Sequence, residues 1–131
     1  MTPRTSPADE TIRRGRMAKA EQFAHAAEVV HNLADEAADV ADAFVTLCVH
    51  AGIAAADVIC AARLGVQARG ESHDEAVGLL ATVDKDAAKH LGGLLGVKTL
   101  AGYSHQPVSR EHAIRAGRAM DALMEAARKT R

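Results

Sequence analysis

One apolar segment, residues 39–65, constrains the fold of this chain more strongly than any other. It reads DVADAFVTLCVHAGIAAADVICAARLG, which predicts a helix from about Asp39 to Leu64 that ends at Gly65. One side of this helix carries Val40, Phe44, Leu47, Ala51, Ala54 and Val58. The other sides carry Val45, Val49, Ile53, Ile59 and Cys60. A helix that is apolar nearly all round belongs at the centre of a bundle, or it forms a contact between subunits.

The composition favours helices over sheets. Hydrophobic residues make up 48% of the chain, but aromatic residues make up only 2% and tryptophan is absent. The apolar residues are therefore mostly Ala, Leu and Val, and alanine is the best helix former, whereas sheets favour aromatic and β-branched runs. No segment has the pattern of a strand. We expect one domain over residues 1–131, with residues 1–6 as a flexible tail.

Start signals place four further helices around the apolar one. Ser6 and Pro7 predict the start of a first helix that runs to about Glu36. Its apolar stripe comprises Phe23, Ala27, Val30, Ala34 and Ala37. Ser72 and Glu75 have the spacing of a capping box, which predicts the start of the third helix.

The last two helices complete the predicted architecture. A fourth helix is expected near Asp84, weakened by several glycines, and Pro107 and Ser109 introduce the last one. The buried stripe of the last helix is expected to comprise Ile114, Gly117, Met120, Met124 and Ala127. The predicted fold is all-α, an up-and-down bundle of about five helices with long first, second and last helices.

The sequence also bears on location and on the cysteines. It contains no run of about twenty apolar residues and its N-terminus is polar, so we predict no membrane span, no signal peptide and a cytoplasmic location. Cys48 and Cys60 match neither a disulfide framework nor a zinc pattern, and we interpret them as buried thiols.

Charge is distributed unevenly along the chain. Residues 1–20 carry a net charge of +3, residues 21–60 carry −7 and residues 98–131 carry +4. Arg115 and Arg118 belong to the basic C-terminal part and face away from the apolar stripe of the last helix. The basic ends are either ordinary solvated faces or one electropositive zone that binds phosphate, with these two arginines as binding residues.

A metal centre has little support in the sequence. Glu28 and His31 have the Glu-x-x-His spacing with which helical di-iron proteins hold an ion. Such a site needs a second copy of the pattern on another helix, and the sequence contains none. We therefore predict neither a metal nor a cofactor.

Three polar residues form a seam on the apolar helix. Thr46, His50 and Asp57 fall near one angular position, and His50 and Asp57 are two turns, about 10 Å, apart. Each is either a buried polar group satisfied by a neighbouring helix, or part of a binding groove in which the histidine and the acid have shifted pKa values.

The segment GVKTLAGYSHQPVSREH, residues 96–112, offers a second candidate site. Lys98 supplies a cation, Tyr103 an aromatic ring and His105 a group that exchanges protons near neutral pH. Together they are suited to hold a phosphodiester of RNA and to move a proton without a metal. The alternative is a tyrosine packed against the core and a histidine facing water before a proline turn.

The order of these segments resembles the HEPN superfamily (higher eukaryotes and prokaryotes nucleotide-binding). The segments that carry the resemblance are HAGIAAADVICAARLG, SHDEAVGLL, LLGVKTLAGYSHQPVS and AIRAGRAMDALMEAAR, and they span nearly the whole chain. Within them, the most telling positions are His73, Asp74, Leu79 and Leu80 and the step of Lys98, Ala101 and Tyr103.

The resemblance implies a helical homodimer, formed through the apolar helix and its neighbours. It implies a binding or regulatory module first, such as a toxin–antitoxin-type component with affinity for RNA or nucleotides and a nucleotidyltransferase or antitoxin as partner. Active members are metal-independent endoribonucleases with an arginine followed by a histidine. Here Lys98 replaces that arginine and His105 follows it, so the resemblance implies, second, a nuclease with these two residues at a dimer interface.

Overall fold

The computed structural model describes residues 3–69 and 72–130. Five helices form most of this part of the chain: α1 (Glu10–Leu33), α2 (Ala41–Leu64), α3 (His73–Ala81), α4 (Lys85–Gly102) and α5 (Arg110–Arg128). A 3-10 turn, Ala37–Val40, precedes α2. The prediction of an all-α helical bundle is confirmed.

α2 lies at the centre of the bundle, as its composition predicts. It packs against α1, α4 and α5, and α4 also packs against α3 and α5. Val45 and Val49 are buried, and Ile53 is half-buried against the core. Burying apolar area at about 25 cal/mol per Å² is the main term that stabilises such a bundle. The helix ends at Gly65, whose φ of 69° is in the left-handed region that glycine adopts at little cost.

The start of the chain differs from the sequence-based prediction. Ser6 and Pro7 do not begin the first helix; Asp9 caps it instead, accepting a hydrogen bond from the Ile12 N–H at 2.9 Å. Thr5–Pro7 forms a short strand, β1, rather than part of a flexible tail or a helix. Residues 1 and 2 of the expected tail lie outside the described residues.

β1 pairs with a second short strand, β2, which also went unpredicted. β2 is Val66–Ala68, and the two strands are antiparallel, with Ser6 opposite Gln67. Because three-residue strands carry too little pattern to be recognised, their formation depends on this tertiary pairing. The pair fixes residues 66–68, shortly after the end of α2.

The remaining helix starts agree with the sequence in part. Ser72, Asp84 and Ser109 cap α3, α4 and α5 with side-chain oxygens, as predicted. The capping box at Ser72 is only half formed, because the Glu75 carboxylate binds Arg4 at 3.1 Å instead. In α5 Met120, Met124 and Ala127 are buried as predicted. Ile114 is not, since 43% of its surface is exposed.

The apolar segment also bears on the prediction of no membrane span. By length and composition, the helical stretch Ala37–Leu64 could cross a membrane, with a mean hydropathy of 1.9 in its most apolar window. However, 61% of that window is buried within the fold, as in the core helix of a soluble protein.

Candidate functional site

A cleft of about 500 Å³ opens between α2, the start of α3 and the end of α4. We call it the α2–α4 cleft. Its floor is largely apolar and includes Ile53 and Leu95. Its polar lining comprises Asp57, Ser72, His73, Lys98, Thr99 and Tyr103. This volume and this mixture of an apolar floor with a few polar groups are typical of small-ligand sites.

α2 contributes Asp57, which lies at the end of the predicted polar seam. Arg16 of α1 donates from Nε to Oδ2 of Asp57 at 2.9 Å, and both side chains are more than two-thirds buried. Burial raises the pKa of Asp57 above its usual range, even though the Arg16 guanidinium acts in the opposite direction. The ion pair joins α1 to α2 and balances the carboxylate charge at the floor of the cleft.

The β-strand pair and the cap of α3 form one wall. Ala68 of β2 lines the cleft, and Ser72 Oγ accepts from the Glu75 N–H at 3.3 Å, which begins α3 at His73. The His73 side chain is exposed and lines the cleft. The spacing of polar residues does not single out His73 as a candidate site residue, and only the resemblance described above points to it.

α4 forms the opposite wall with Lys98, Thr99 and Tyr103. The helix ends at Tyr103, whose N–H donates to the Thr99 carbonyl at 2.9 Å. The Tyr103 side chain is 80% exposed at the mouth of the cleft, so it does not pack against the core. Lys98, five residues earlier, is half-buried. A cation and an aromatic ring therefore stand on the same wall.

His105 lies outside this cleft, in the loop between α4 and α5. Its side chain is exposed to solvent. The loop is anchored beyond it, because Val108 is buried and its N–H donates to Oδ1 of Asp42 at 3.0 Å. Lys98 thus lines the α2–α4 cleft, and His105 is not among the described residues that line it.

The structure divides the polar seam of α2. Asp57 faces the α2–α4 cleft, whereas His50 is exposed outside it and stacks on Phe23 with 5.3 Å between the ring centroids. Thr46 is half-buried, and its hydroxyl lies beside Gly102 at the end of α4. The seam is therefore a partly open strip of α2, and only its Asp57 end lines the cleft.

Arg115 and Arg118 are both exposed on α5, as predicted, but they lie away from the α2–α4 cleft. They line a shallow depression with Lys89 and His90 of α4. The structure therefore does not bring these two arginines together with Lys98 and Tyr103 in one site.

Metal-ligating side chains are scattered rather than clustered. No three His, Cys, Asp or Glu side chains lie close enough to hold an ion within residues 3–69 and 72–130. Glu28 is exposed and His31 packs beside Phe44 with ring centroids 5.3 Å apart. Both cysteines are buried as interpreted, and burial raises the pKa of each thiol to about 12.

The chemistry of the cleft suits an anion that carries a flat or apolar part. Since Arg16 balances Asp57, Lys98 is the charged group that the described lining of the cleft leaves available to a ligand. Tyr103 offers a ring for stacking, and Thr99 and His73 offer polar groups for hydrogen bonds. No model of a known protein family matches this chain, and no curated protein matches it.

Proposed function

We propose that this protein is a HEPN-like binding or regulatory module that holds a ribonucleotide, free or within RNA, in the α2–α4 cleft. One observation supports this most directly. His73 and the step of Lys98 to Tyr103, the two most telling parts of the resemblance, line the same cleft although they lie on different helices. Because the resemblance rests on sequence order alone, the meeting of these residues in one cleft is a separate observation that supports the proposal.

Each residue has a role in this proposal. The Lys98 ammonium binds the phosphate, because it is the cation on the cleft wall without a carboxylate partner among the described residues. The exposed Tyr103 ring stacks on the base, an interaction of about 1–3 kcal/mol. His73 and Thr99 bind the sugar or further phosphate oxygens, and Asp57 shapes the floor.

The biological setting follows from the resemblance alone. We propose a cytoplasmic, toxin–antitoxin-type component that responds to a nucleotide or RNA, with a nucleotidyltransferase or a small antitoxin as its partner. His105 is not among the residues that line the cleft, which supports binding ahead of catalysis, since a general acid or base acts within hydrogen-bond reach of the reacting group.

The test is equilibrium binding of AMP and of a short labelled RNA to wild type, Lys98→Met and Lys89→Met. Lys89 is an exposed lysine on the same helix that does not line the cleft. We expect Lys98→Met to lower affinity about tenfold, roughly 1.4 kcal/mol, and Lys89→Met to leave it within about twofold. Equal effects of the two changes would contradict the proposal.

The same protein separates binding from the alternative, a metal-independent endoribonuclease that uses Lys98 and His105. RNA is incubated with wild type and with His105→Ala in excess chelator. Binding without cleavage supports the module. Cleavage that disappears in His105→Ala supports the nuclease instead.

A further inference from the structure

The inference concerns the shallow depression between α4 and α5, which lies on a different face of α4 from the α2–α4 cleft. It measures about 340 Å³, and we call it the α4–α5 depression. Its basic lining comprises Lys89, His90, His112, Arg115 and Arg118. The rest of its lining is Gly93, Val97, Ala116 and Ala119. No lining residue is shared with the α2–α4 cleft, so the two concavities are separate.

The α4–α5 depression differs in charge from the other concavities of the described residues. Its lining contains one lysine, two arginines and no carboxylate. Each of four other concavities includes at least one carboxylate: Asp57 in the α2–α4 cleft, and Asp84, Glu125, Glu36, Asp121, Asp9 and Glu10 in the other three. Since the whole chain carries a net charge of −1, this concentration of positive charge is local.

The lysine and both arginines of the depression are available to a ligand. All three are exposed, and none forms an ion pair in the part of the chain that the structure describes. Three acids stand one helical turn away from these basic residues: Asp86, Glu111 and Asp121. None of the three lines the depression. An anion that binds there therefore does not have to break a salt bridge first.

The spacing of the two arginines suits adjacent phosphate groups. Arg115 and Arg118 are three residues apart on α5, so their Cβ atoms are neighbours on the helix surface, about 5–6 Å apart. Each guanidinium presents a planar fork of N–H donors that matches the oxygens of a phosphate. Two forks one turn apart can each hold one of two linked phosphates, and Lys89 adds a third cation from α4.

His112 contributes a neutral donor that the start of α5 orients. Its Nδ1 accepts a hydrogen bond from the Ser109 N–H at 3.3 Å, and Ser109 Oγ accepts from the His112 N–H at 3.1 Å. Because Nδ1 is an acceptor in this capping box, the neutral ring carries its proton on Nε2. The Nε2–H is then the donor that the ring offers to an anion. The first turn of α5 also favours negative charge through its helix dipole.

We propose that the α4–α5 depression binds a free diphosphate, at a site separate from the ribonucleotide site proposed above. Arg115 and Arg118 each hold one phosphate group, and Lys89 balances the remaining charge. The occupant is a small anion rather than a nucleotide for two reasons. The volume is at the low end of the range for small-ligand sites, and the apolar lining, which consists of glycine, alanine and one valine, offers little to a base.

The test is isothermal titration of inorganic diphosphate, in metal-free buffer, into wild type, Arg115→Gln, Arg118→Gln and Arg110→Gln. Arg110 is the matched control, because it is an exposed arginine on the same helix that does not line the depression. We expect saturable binding by wild type, a dissociation constant raised about tenfold in Arg115→Gln and Arg118→Gln, and a change within about twofold in Arg110→Gln. No saturable binding by wild type, or an equal loss in all three variants, would overturn the inference.

Gly93 tests whether the concave shape matters as well as the charge. A Cβ added at Gly93 or at Gly96 would have nothing within 4 Å, and Gly96 is exposed on the same helix without lining the depression. Gly93→Leu should fill the depression and weaken diphosphate binding, whereas Gly96→Leu should leave it unchanged. Equal affinity in these two variants would mean that a diffuse patch of charge attracts the anion, which contradicts a site in the depression.

Lys98→Met separates this site from the α2–α4 cleft. It should leave diphosphate binding unchanged, and a loss as large as that in Arg115→Gln would mean that the anion binds in the cleft instead. In the Lys98→Met protein, ADP should bind no more tightly than diphosphate. Tighter binding of ADP would contradict a free diphosphate as the occupant. The inference does not rest on the proposed function, because AMP binding in the cleft is measured separately and either can fail alone.

Discussion

The two sides of α2 differ in the size of the residues that they carry and in the space that they leave. On the closed side, Ala51, Ala54 and Ala55 are fully buried, and a Cβ added at Gly52 would overlap the Leu94 side chain. Small residues let helices approach closely and leave no room between them. On the open side, Ile53, Ala56, Asp57 and Cys60 line the α2–α4 cleft.

The open side shows what polar residues do in a central helix. Asp57 is held by Arg16, and the wall of α4 stands far enough away to leave the α2–α4 cleft. His50 reaches solvent rather than the interior. One helix therefore serves as core on one side and as the floor of a candidate binding site on the other.

The largest expected difference between the two sides is in how far truncation of an isoleucine to alanine lowers the free energy of unfolding. Ile59 is 1% exposed in the core, whereas Ile53 is half-buried at the cleft. Replacement of Ile59 by Ala should lower the free energy of unfolding by about 3 kcal/mol, and replacement of Ile53 by about 1 kcal/mol. Urea denaturation measures both. Equal losses would mean that the cleft side is packed as tightly as the core.

Added volume should show the same difference with a smaller effect. Gly52→Val places a side chain against Leu94 and Leu123 and should cost about 2 kcal/mol. Gly96→Val is the matched control, because Gly96 lies exposed on α4 with nothing within 4 Å of an added Cβ. The control should change the free energy of unfolding by less than about 0.5 kcal/mol. If Gly52→Val lowered the free energy of unfolding no more than Gly96→Val does, the closed side of α2 would not be tightly packed.

The smallest expected effect is a difference in pH dependence. Because burial raises the pKa of Asp57, the folded state holds that proton more tightly, and the contribution of this carboxyl to stability grows as pH falls toward the ordinary Asp pKa. The stability of wild type relative to Asp57→Asn should therefore increase as pH falls from 7 to about 4.

Glu21 supplies the control of opposite sign. Arg128 lowers the pKa of Glu21, so the contribution of that carboxyl is present above the ordinary Glu pKa and is lost as pH falls below it. The stability of wild type relative to Glu21→Gln should decrease over the acid range. Denaturation curves across the acid range for the two pairings, wild type with Asp57→Asn and wild type with Glu21→Gln, decide the matter, and slopes of the same sign would refute the assignment.

Local signals made much of the fold predictable. The apolar α2, its end at Gly65 and the caps at Ser72, Asp84 and Ser109 are set by residues close in sequence, and the structure agrees with each. β1 was not predictable, because three residues that include Pro7 acquire strand geometry only by pairing with β2. Ile114 lies on the apolar stripe of α5, which is why the sequence predicts it to be buried. It is exposed because that stripe is longer than the face of α5 that the rest of the chain covers.

The candidate site was predictable only in pieces. Asp57 was singled out from the seam, and Lys98 and Tyr103 from the segment at the end of α4. Their meeting in one cleft depends on how α2, α3 and α4 pack, which no local pattern encodes. The grouping of Lys98 with His105 rests on sequence proximity and stays a prediction, since Lys98 lines the cleft and His105 is not among its lining residues.

The most direct test is a titration of ¹⁵N-labelled protein with AMP, followed by amide chemical shifts. The proposal predicts the largest shifts at Asp57, His73, Thr99 and Tyr103, which line the α2–α4 cleft. The first three lie on α2, α3 and α4, and Tyr103 directly follows α4. Amide shifts on the closed side of α2 should stay unchanged. Shifts confined to α5, or no shifts at saturating AMP, would contradict a nucleotide site in this cleft.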